Sequence, residues 1–274
     1  MPAVYPPERH LLRDLRFTFE HDPARTRSRA WMPVVPEVCT DQDGARAGAL
    51  ATLVDVIGGG LAAGAAAPGW IATADLTLAV VAAARPGSTV EARGQVLRMG
   101  RTTVVIEVAL VDEREHDVGI ATMSFAVLPR RDTNPVADDL HAGPPTMATA
   151  ASRMAGPLPD QLGLEVVDAA RGVVEAPVID WSLNSMGAMQ GGVVATVAEA
   201  AAEAALRVAT GRPVVVTDMY VTYLGFGRVG PVRSTVDVLG RATGHGAARV
   251  ELFDTGAENR QMTVVHTVAS DAPV

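Results

Sequence analysis

The chain has 274 residues, room for one large domain or two ordinary ones. Its formal net charge of −8 speaks against a general nucleic-acid binder, and every residue in the Lys+Arg count is Arg. Cys39 is the only cysteine, which excludes an intrachain disulfide, weighs against a cysteine metal site and fits a reducing cytoplasm. Hydrophobic residues make up 48%, enough for a substantial core. No membrane span is expected, because Asp55, Gly58-Gly59-Gly60 and Glu199 interrupt the apolar runs. The N-terminal "MPAVYPPERHLLRDLRF" carries charges and prolines where a signal peptide needs an apolar segment.

In chain order, the first half reads as a short lead-in strand, a long apolar helix containing "GALATLVD" (48–55), and several strands. Those strands are "ADLTLAVV" (74–81), the stretch "PGSTVEARGQVLRMGRTTVVIEVALVD", and "VGIATMSFAVL". "TTVVIEVALVD" is so continuously apolar that cover on both faces is expected. A segment rich in Pro, Ala, Asp, Gly and Thr follows, with no clean period, and reads as a linker over 131–158. The second half repeats the plan. "GVVATVAE" (192–199) matches the first helix at an offset of 144, and "TDMYVTYL" (217–224) matches the first strand at 143. Its helix is expected from near Ala188 to Thr210, where Gly211 and Pro213 supply stop signals. In "RVELFD", Val250, Leu252 and Asp254 share one strand face. Similar order and spacing over two stretches point to duplication, with units at 1–130 and 159–274. One helix followed by a run of antiparallel strands suggests a sheet wrapped around a central helix, twice.

The second half resembles the hotdog-fold acyl-CoA thioesterases of the phenylacetate-pathway type. The residues that carry the resemblance are Asn184, then Gln190-Gly191-Gly192 at the helix start, then Glu199, then "TDMYVTYL". Gln190 stands where that family has His, and Glu199 where it usually has Asp. The first half offers Asp55 at the acidic position and Thr73 on the strand, but Thr40 in place of the Asn and Arg46-Ala47-Gly48 at the helix start. The resemblance implies an α+β tandem double hotdog and sites shared between the two units. One composite site would combine Asn184, Gln190 and Gly191 with Asp55 and Thr73. The other would combine Thr40, Arg46 and Ala47 with Glu199 and Val216; it lacks both the Asn and the strand hydroxyl, and is expected to be degenerate.

Thioester hydrolysis needs a polarised carbonyl, an activated water or carboxylate nucleophile, and a held leaving group. The N–H of Gly191 at a helix N-terminus suits the first need, and a glycine there permits close approach. Asp55 would be base or nucleophile, with its pKa raised on an apolar helix unless Thr73 bonds to it. Asn184 would orient water or carbonyl, whereas Gln190 cannot titrate. Each residue also has a plainer reading. Asp55 could end a helix segment before the glycines, Asn184 could be a turn or cap residue, Gly191-Gly192 could ease helix packing, and Glu199 with Glu203 could form a solvated stripe.

Gly192, Arg98 and Arg101 are further substrate-binding candidates, with Arg130, Arg131 and Arg241 as other cations for a coenzyme A moiety. The six histidines show no metal-ligand spacing, so no metal or separate cofactor is expected, coenzyme A being part of the substrate. "DTNPVADD" (132–139) nearly matches a hotdog hydratase signature but has Ala137 at the His position and lies in the linker. The function expected is acyl-CoA hydrolysis at one composite site. The alternative is a non-catalytic acyl-CoA-binding or regulatory protein. Exposed sheet edges make a homo-oligomer the expected state, and the low aromatic content, 4%, hints at an aliphatic-lined channel.

Overall fold

A computed structural model describes residues 5–22, 26–132, 146–242 and 244–271. Residues 133–145 of the linker, which include nearly all of "DTNPVADD" and His141, fall outside the described residues. Among the described residues, twelve strands form one antiparallel sheet in the order β1-β2-β4-β5-β6-β3-β9-β12-β11-β10-β8-β7. The first unit supplies β1 (Thr18–His21), β2 (Arg27–Pro33), β3 (Trp70–Val80), β4 (Thr89–Met99), β5 (Thr103–Val111) and β6 (Asp117–Leu128). The second supplies β7 (Glu165–Asp168), β8 (Val173–Ala176), β9 (Val215–Tyr223), β10 (Val232–Ala242), β11 (His245–Asp254) and β12 (Arg260–Ser270). The units join where β3 pairs with β9, and Thr77 faces Tyr220 at the centre of that pairing. These two residues match at the repeat offset, so a pseudo-two-fold axis passes between them.

Each unit carries one long helix, α2 (Ala47–Ala66) and α4 (Gly191–Thr210); α1 (Leu11–Asp14) and α3 (Leu158–Gln161) are single turns. α4 begins at Gly191 rather than near Ala188, because residues 184–188 form a tight turn and Gln190 takes the cap position with an extended backbone. It ends as expected: Gly211 adopts φ +68° and returns its N–H to the Arg207 carbonyl. α2 has the length and apolarity of a membrane span, against the sequence expectation, since Asp55 alone interrupts the run. Its apolar character has a different use here, because most of the helix is buried between the sheet and α4.

The two helices cross at matched glycines. A Cβ on Gly192 would lie 2.1 Å from Thr52 Oγ1, and one on Gly48 would lie 2.3 Å from Thr196 Oγ1. Both threonines turn their hydroxyls back to the carbonyls of those glycines' own helices, Thr52 to Gly48 and Thr196 to Gly192. The crossing therefore brings the start of each helix against the middle of the other. Along β11, Val250, Leu252 and Asp254 are buried together, as the alternation implied. On β5 only the inner face is fully buried; Val105, Glu107 and Ala109 on the other face are partly covered, so the expected double cover is incomplete.

Candidate functional site

The close crossing sets each helix start against the acidic residue of the other unit, and the two results differ. At the start of α4, the Asp55 carboxylate from α2 sits so near Gly191 that a Cβ there would meet its Oδ2 at 2.8 Å. Gly191 thus admits the carboxylate as well as any substrate. Thr73 Oγ1 on β3 donates to Asp55 Oδ1 at 3.3 Å. Burial raises the Asp55 pKa from its ordinary 3.8 to about 6, and the Thr73 bond pulls the other way. Among the described residues no acceptor takes the N–H of Gly191 or Gly192, so the first-turn donors remain open.

Around this group lies a cavity of about 230 Å³ whose wall includes Asp55, Thr73, Asn184, Gln190 and Gly191. The structure therefore brings together the five residues expected to form one composite site. Asn184 also satisfies its plainer reading: its Oδ1 accepts from the N–H of Met186 (2.9 Å) and Ala188 (3.1 Å), shaping the turn before α4. Its Nδ2, with no partner among the described residues, is the group left for a ligand. Gln190 is buried and its Oε1 has no hydrogen-bond partner among the described residues. Gly192 stands at the helix crossing against Thr52 and is not on the cavity wall, so its side is spent on packing. Arg98 and Arg101, at the β4–β5 hairpin tip, lie at the sheet end that carries Trp70 and Thr73, but β5 and β6 separate β4 from β3, and the two arginines line none of the described pockets.

Several contributors carried no readable signal. Tyr223 at the end of β9 donates its hydroxyl to the Gly191 carbonyl at 3.0 Å, holding the Gly191–Gly192 peptide. Burial, and secondly the Asp55 charge, push its pKa well up, so it stays a donor. Tyr5 and Leu12 of the N-terminal arm also reach the cavity wall. The arm is fastened to the loop before α4, with Tyr5 Oη and His10 Nε2 both on the Leu183 carbonyl at 3.2 and 2.7 Å. The cavity lining is mixed, with aliphatic side chains such as Leu12, Val56, Ile71 and Val194 beside several rings, so the expected aliphatic channel is only part of it. Of the chain's eleven aromatics (3 Trp, 3 Tyr, 5 Phe), five line this cavity: Tyr5, Trp70, Phe125, Tyr223 and Phe226. Bulk composition is an average, and the fold gathers the few rings at one place.

At the start of α2 the pseudo-symmetric position is closed. Glu199 is fully buried and its two carboxylate oxygens accept the N–H groups of Ala47 (2.9 Å) and Gly48 (3.1 Å). The stripe reading fails for both glutamates, since Glu203 is buried too and accepts the Val216 N–H at 3.2 Å. Arg46 lies 3.5 Å from Glu203 and 3.9 Å from Glu199, and Arg207 links Glu203 (3.4 Å) to Asp41 (3.0 Å). Burial raises the pKa of both acids, Glu203 to about 7, while Arg46 opposes the rise. The cavity beside Thr40 and Val216 is about 30 Å³. Glutamate has one methylene more than aspartate, and here that reach turns the acid into a cap for the helix it faces.

Residues 47–118 match the family model of the thioesterase superfamily. The fold is similar to an acyl-ACP thioesterase from Bacteroides thetaiotaomicron, at 11% identity, TM-score 0.60, over 89% of this chain and 98% of that one. The fold is a tandem double hotdog. Two further solved structures share this tandem hotdog architecture. A 12:0-ACP thioesterase from Umbellularia californica matches at 10% identity and TM-score 0.61, over 90% of this chain and 95% of that one. The tesB protein of Mycobacterium avium subsp. paratuberculosis matches at 15% identity and TM-score 0.58, over 89% and 93%. No curated protein sequence matches the chain.

Proposed function

We propose that this double hotdog hydrolyses an acyl thioester, acyl-CoA being the form expected from sequence, at one site built from both units. The observation that supports it is the Asp55 carboxylate set against an open helix start inside an apolar cavity, beside a twin helix start that Glu199 has capped. The thioester carbonyl oxygen accepts from the Gly191 N–H, at the positive end of α4. Asp55, as carboxylate, takes a proton from a water molecule as its oxygen attacks the carbonyl carbon. The tetrahedral intermediate collapses, the C–S bond breaks, and the Asp55 proton passes to the departing thiolate. Thr73 holds the carboxylate, Tyr223 holds the Gly191–Gly192 peptide, and Asn184 Nδ2 is placed to orient water or carbonyl. A pKa near 6 suits this cycle, because the group is a base at neutral pH and a competent acid once protonated.

A free-thiol release assay over short, long and aromatic acyl-CoAs and acyl-ACPs tests the proposal. Turnover by the wild type, abolished by Asp55→Asn and retained by Glu199→Gln, is the expected pattern. The buried, non-titrating Gln190 favours one rival, a non-catalytic thioester binder. Binding without release for any substrate would establish that rival and overturn the hydrolase.

A further inference from the structure

The site cavity does not end at Asp55. Val56, Gly59, Gly60 and Ala63 lie on the same face of α2 as that carboxylate and line the same hollow. At 1.5 Å per residue, this apolar face runs about 12 Å along the helix from Asp55. A Cβ built on Gly59 would meet no atom within 4 Å, whereas one on the neighbouring Gly58 would lie 2.6 Å from Met123 Sδ in the core. Gly58 is spent on packing, and Gly59 faces open space.

The N-terminal arm and the end of the linker complete the wall of this groove, through Pro6, Leu12 and Met147. Arg13 fastens these pieces to one another by donating to the carbonyls of Pro6, Pro7 (2.7 Å) and Met147 (3.0 Å). The Met147 N–H is held in turn by the Phe17 carbonyl at 2.8 Å. The repeat shows what the open helix face means. The positions of α4 that match Gly59 and Ala63, 144 residues later, are Glu203 and Arg207. Those side chains pair at 3.4 Å, and Arg207 also donates to the Val214 carbonyl at 3.2 Å, so the matching face is filled. The hollow beside it is about 30 Å³, against about 230 Å³ on the open side. Two buried polar atoms in the larger cavity point independently to a ligand. Trp70 Nε1 and Gln190 Oε1 belong to wall residues 5% and 4% exposed, and neither atom has a partner among the described residues.

We infer that this groove holds the acyl chain and that Gly59 sets the length it accepts. The substrate class is a thioester of an extended apolar acyl group, its carbonyl at Gly191 and its chain running along α2 beside Pro6, Leu12 and Met147. The inference rests on the hydrolase reading, which makes Asp55 the thioester end. A surface basin of about 860 Å³ shares Tyr5, Asn184 and Ser185 with the cavity wall. It is no alternative for the chain, because Arg9, Asp14, Arg153 and Asp180 bring charges to its wall.

Gly59→Ala and Gly59→Leu fill the groove in two steps. Both residues favour a helix over glycine, so neither variant should lose stability, and urea unfolding checks this. Gly240→Leu is the control, since Gly240 is exposed on β10, has no atom within 4 Å of its built Cβ and is not on the cavity wall. Thiol release is measured on a graded series of straight-chain acyl thioesters of the carrier that the wild type uses. On the longest acyl group the wild type cleaves well, Gly59→Leu should lose at least about tenfold in kcat/KM and Gly59→Ala less. On the shortest, both should change by under about twofold, and the control should keep the wild-type profile. A loss equal at all lengths, an unchanged profile, or a control that shifts the profile as far as Gly59→Leu would overturn the groove. Calorimetric binding of S-alkyl-coenzyme A thioethers, which cannot be hydrolysed, separates this inference from the hydrolase reading. If no thioester is cleaved but long thioethers bind and weaken about tenfold in Gly59→Leu, the groove stands and the hydrolase falls. If thioesters are cleaved while neither the profile nor thioether affinity depends on Gly59, the groove falls alone. If nothing is cleaved and no thioether binds measurably, both fall.

Discussion

Asp55→Asn should make the protein inactive and more stable together. The folded protein holds the Asp55 carboxyl at about 6, against 3.8 for the ordinary group, chiefly because burial disfavours the charge. Between those values the unfolded chain is ionised while the folded chain keeps the proton, so the wild type loses stability as pH rises from about 4 to 6 and the loss is complete above 6. About two pH units at 1.36 kcal/mol each gives an upper bound near 3 kcal/mol, and the carboxyl borders a cavity that admits water, so about 2 kcal/mol is expected. Asparagine has nearly the same shape and carries none of this cost. Urea unfolding of both proteins at pH 4, 5, 6 and 7.5 should show curves that nearly coincide at pH 4 and separate to about 2 kcal/mol at 7.5, the variant being the more stable. Thiol release by the wild type should rise through an apparent pKa near 6 over the same range. A variant less stable than wild type at pH 7.5, or a difference that does not change with pH, would refute the claim that Asp55 is held charged at a cost.

The closed site yields a second expectation. Asp55→Glu keeps the carboxylate but lends it the reach of Glu199, so it should cap the Gly191 and Gly192 N–H groups and lose on the order of 100-fold in kcat; a variant retaining half the wild-type rate would contradict this. Glu199→Ala uncaps the Ala47 and Gly48 N–H groups, opens a buried gap and leaves Arg46 with Glu203 alone, so unfolding free energy should fall by about 3 kcal/mol while the activity of the folded protein stays within about twofold, read by denaturant titration beside thiol release. Tyr223→Phe should lower kcat about tenfold with KM little changed and with stability within about 1 kcal/mol, because only the hold on the Gly191 carbonyl is lost. Gly192→Ala would force Thr52 and its backbone away from α4; a loss of about 3 kcal/mol is expected, and a melt unchanged from wild type would show that the crossing is looser than its geometry implies.

The repeated plan was readable because both halves kept the same helix start, acidic position and following strands at nearly constant offset. Spacing placed Asp55 and Thr73 on one unit and Gln190 and Gly191 on the other, and packing joins them through glycines that a pattern alone would assign to flexibility. Gly192 shows the limit: the motif offers it to the substrate, and the fold spends it on Thr52. Arg98 and Arg101 sit at the correct end of the sheet, but sequence does not say that β5 and β6 come between their strand and β3. Tyr223 carries no signal in the sequence, because a tyrosine in a strand is ordinary; its use depends on where β9 ends relative to α4.

Duplication explains why the two sites could diverge without disturbing the fold. The Gly48–Thr196 and Gly192–Thr52 contacts hold the helices in one symmetric arrangement, so each acidic residue faces a helix start whatever its length. Four substitutions off that axis then decide the outcome. On the closed side Glu in place of Asp supplies reach, Arg46 in place of Gln supplies a counter-charge, Val216 in place of Thr removes the hydroxyl, and Thr40 in place of Asn removes the free amide. Each change favours a satisfied, buried ion cluster over an open pocket, and each is compatible with the others. The open side carries the opposite set: a short acid held by a hydroxyl, and open N–H donors. Burying Asp55 without a counter-charge disfavours the folded state, whereas the glutamate cap across the axis satisfies two backbone donors. The molecule therefore keeps a stabilising form of the motif in one unit and a strained, chemically usable form in the other.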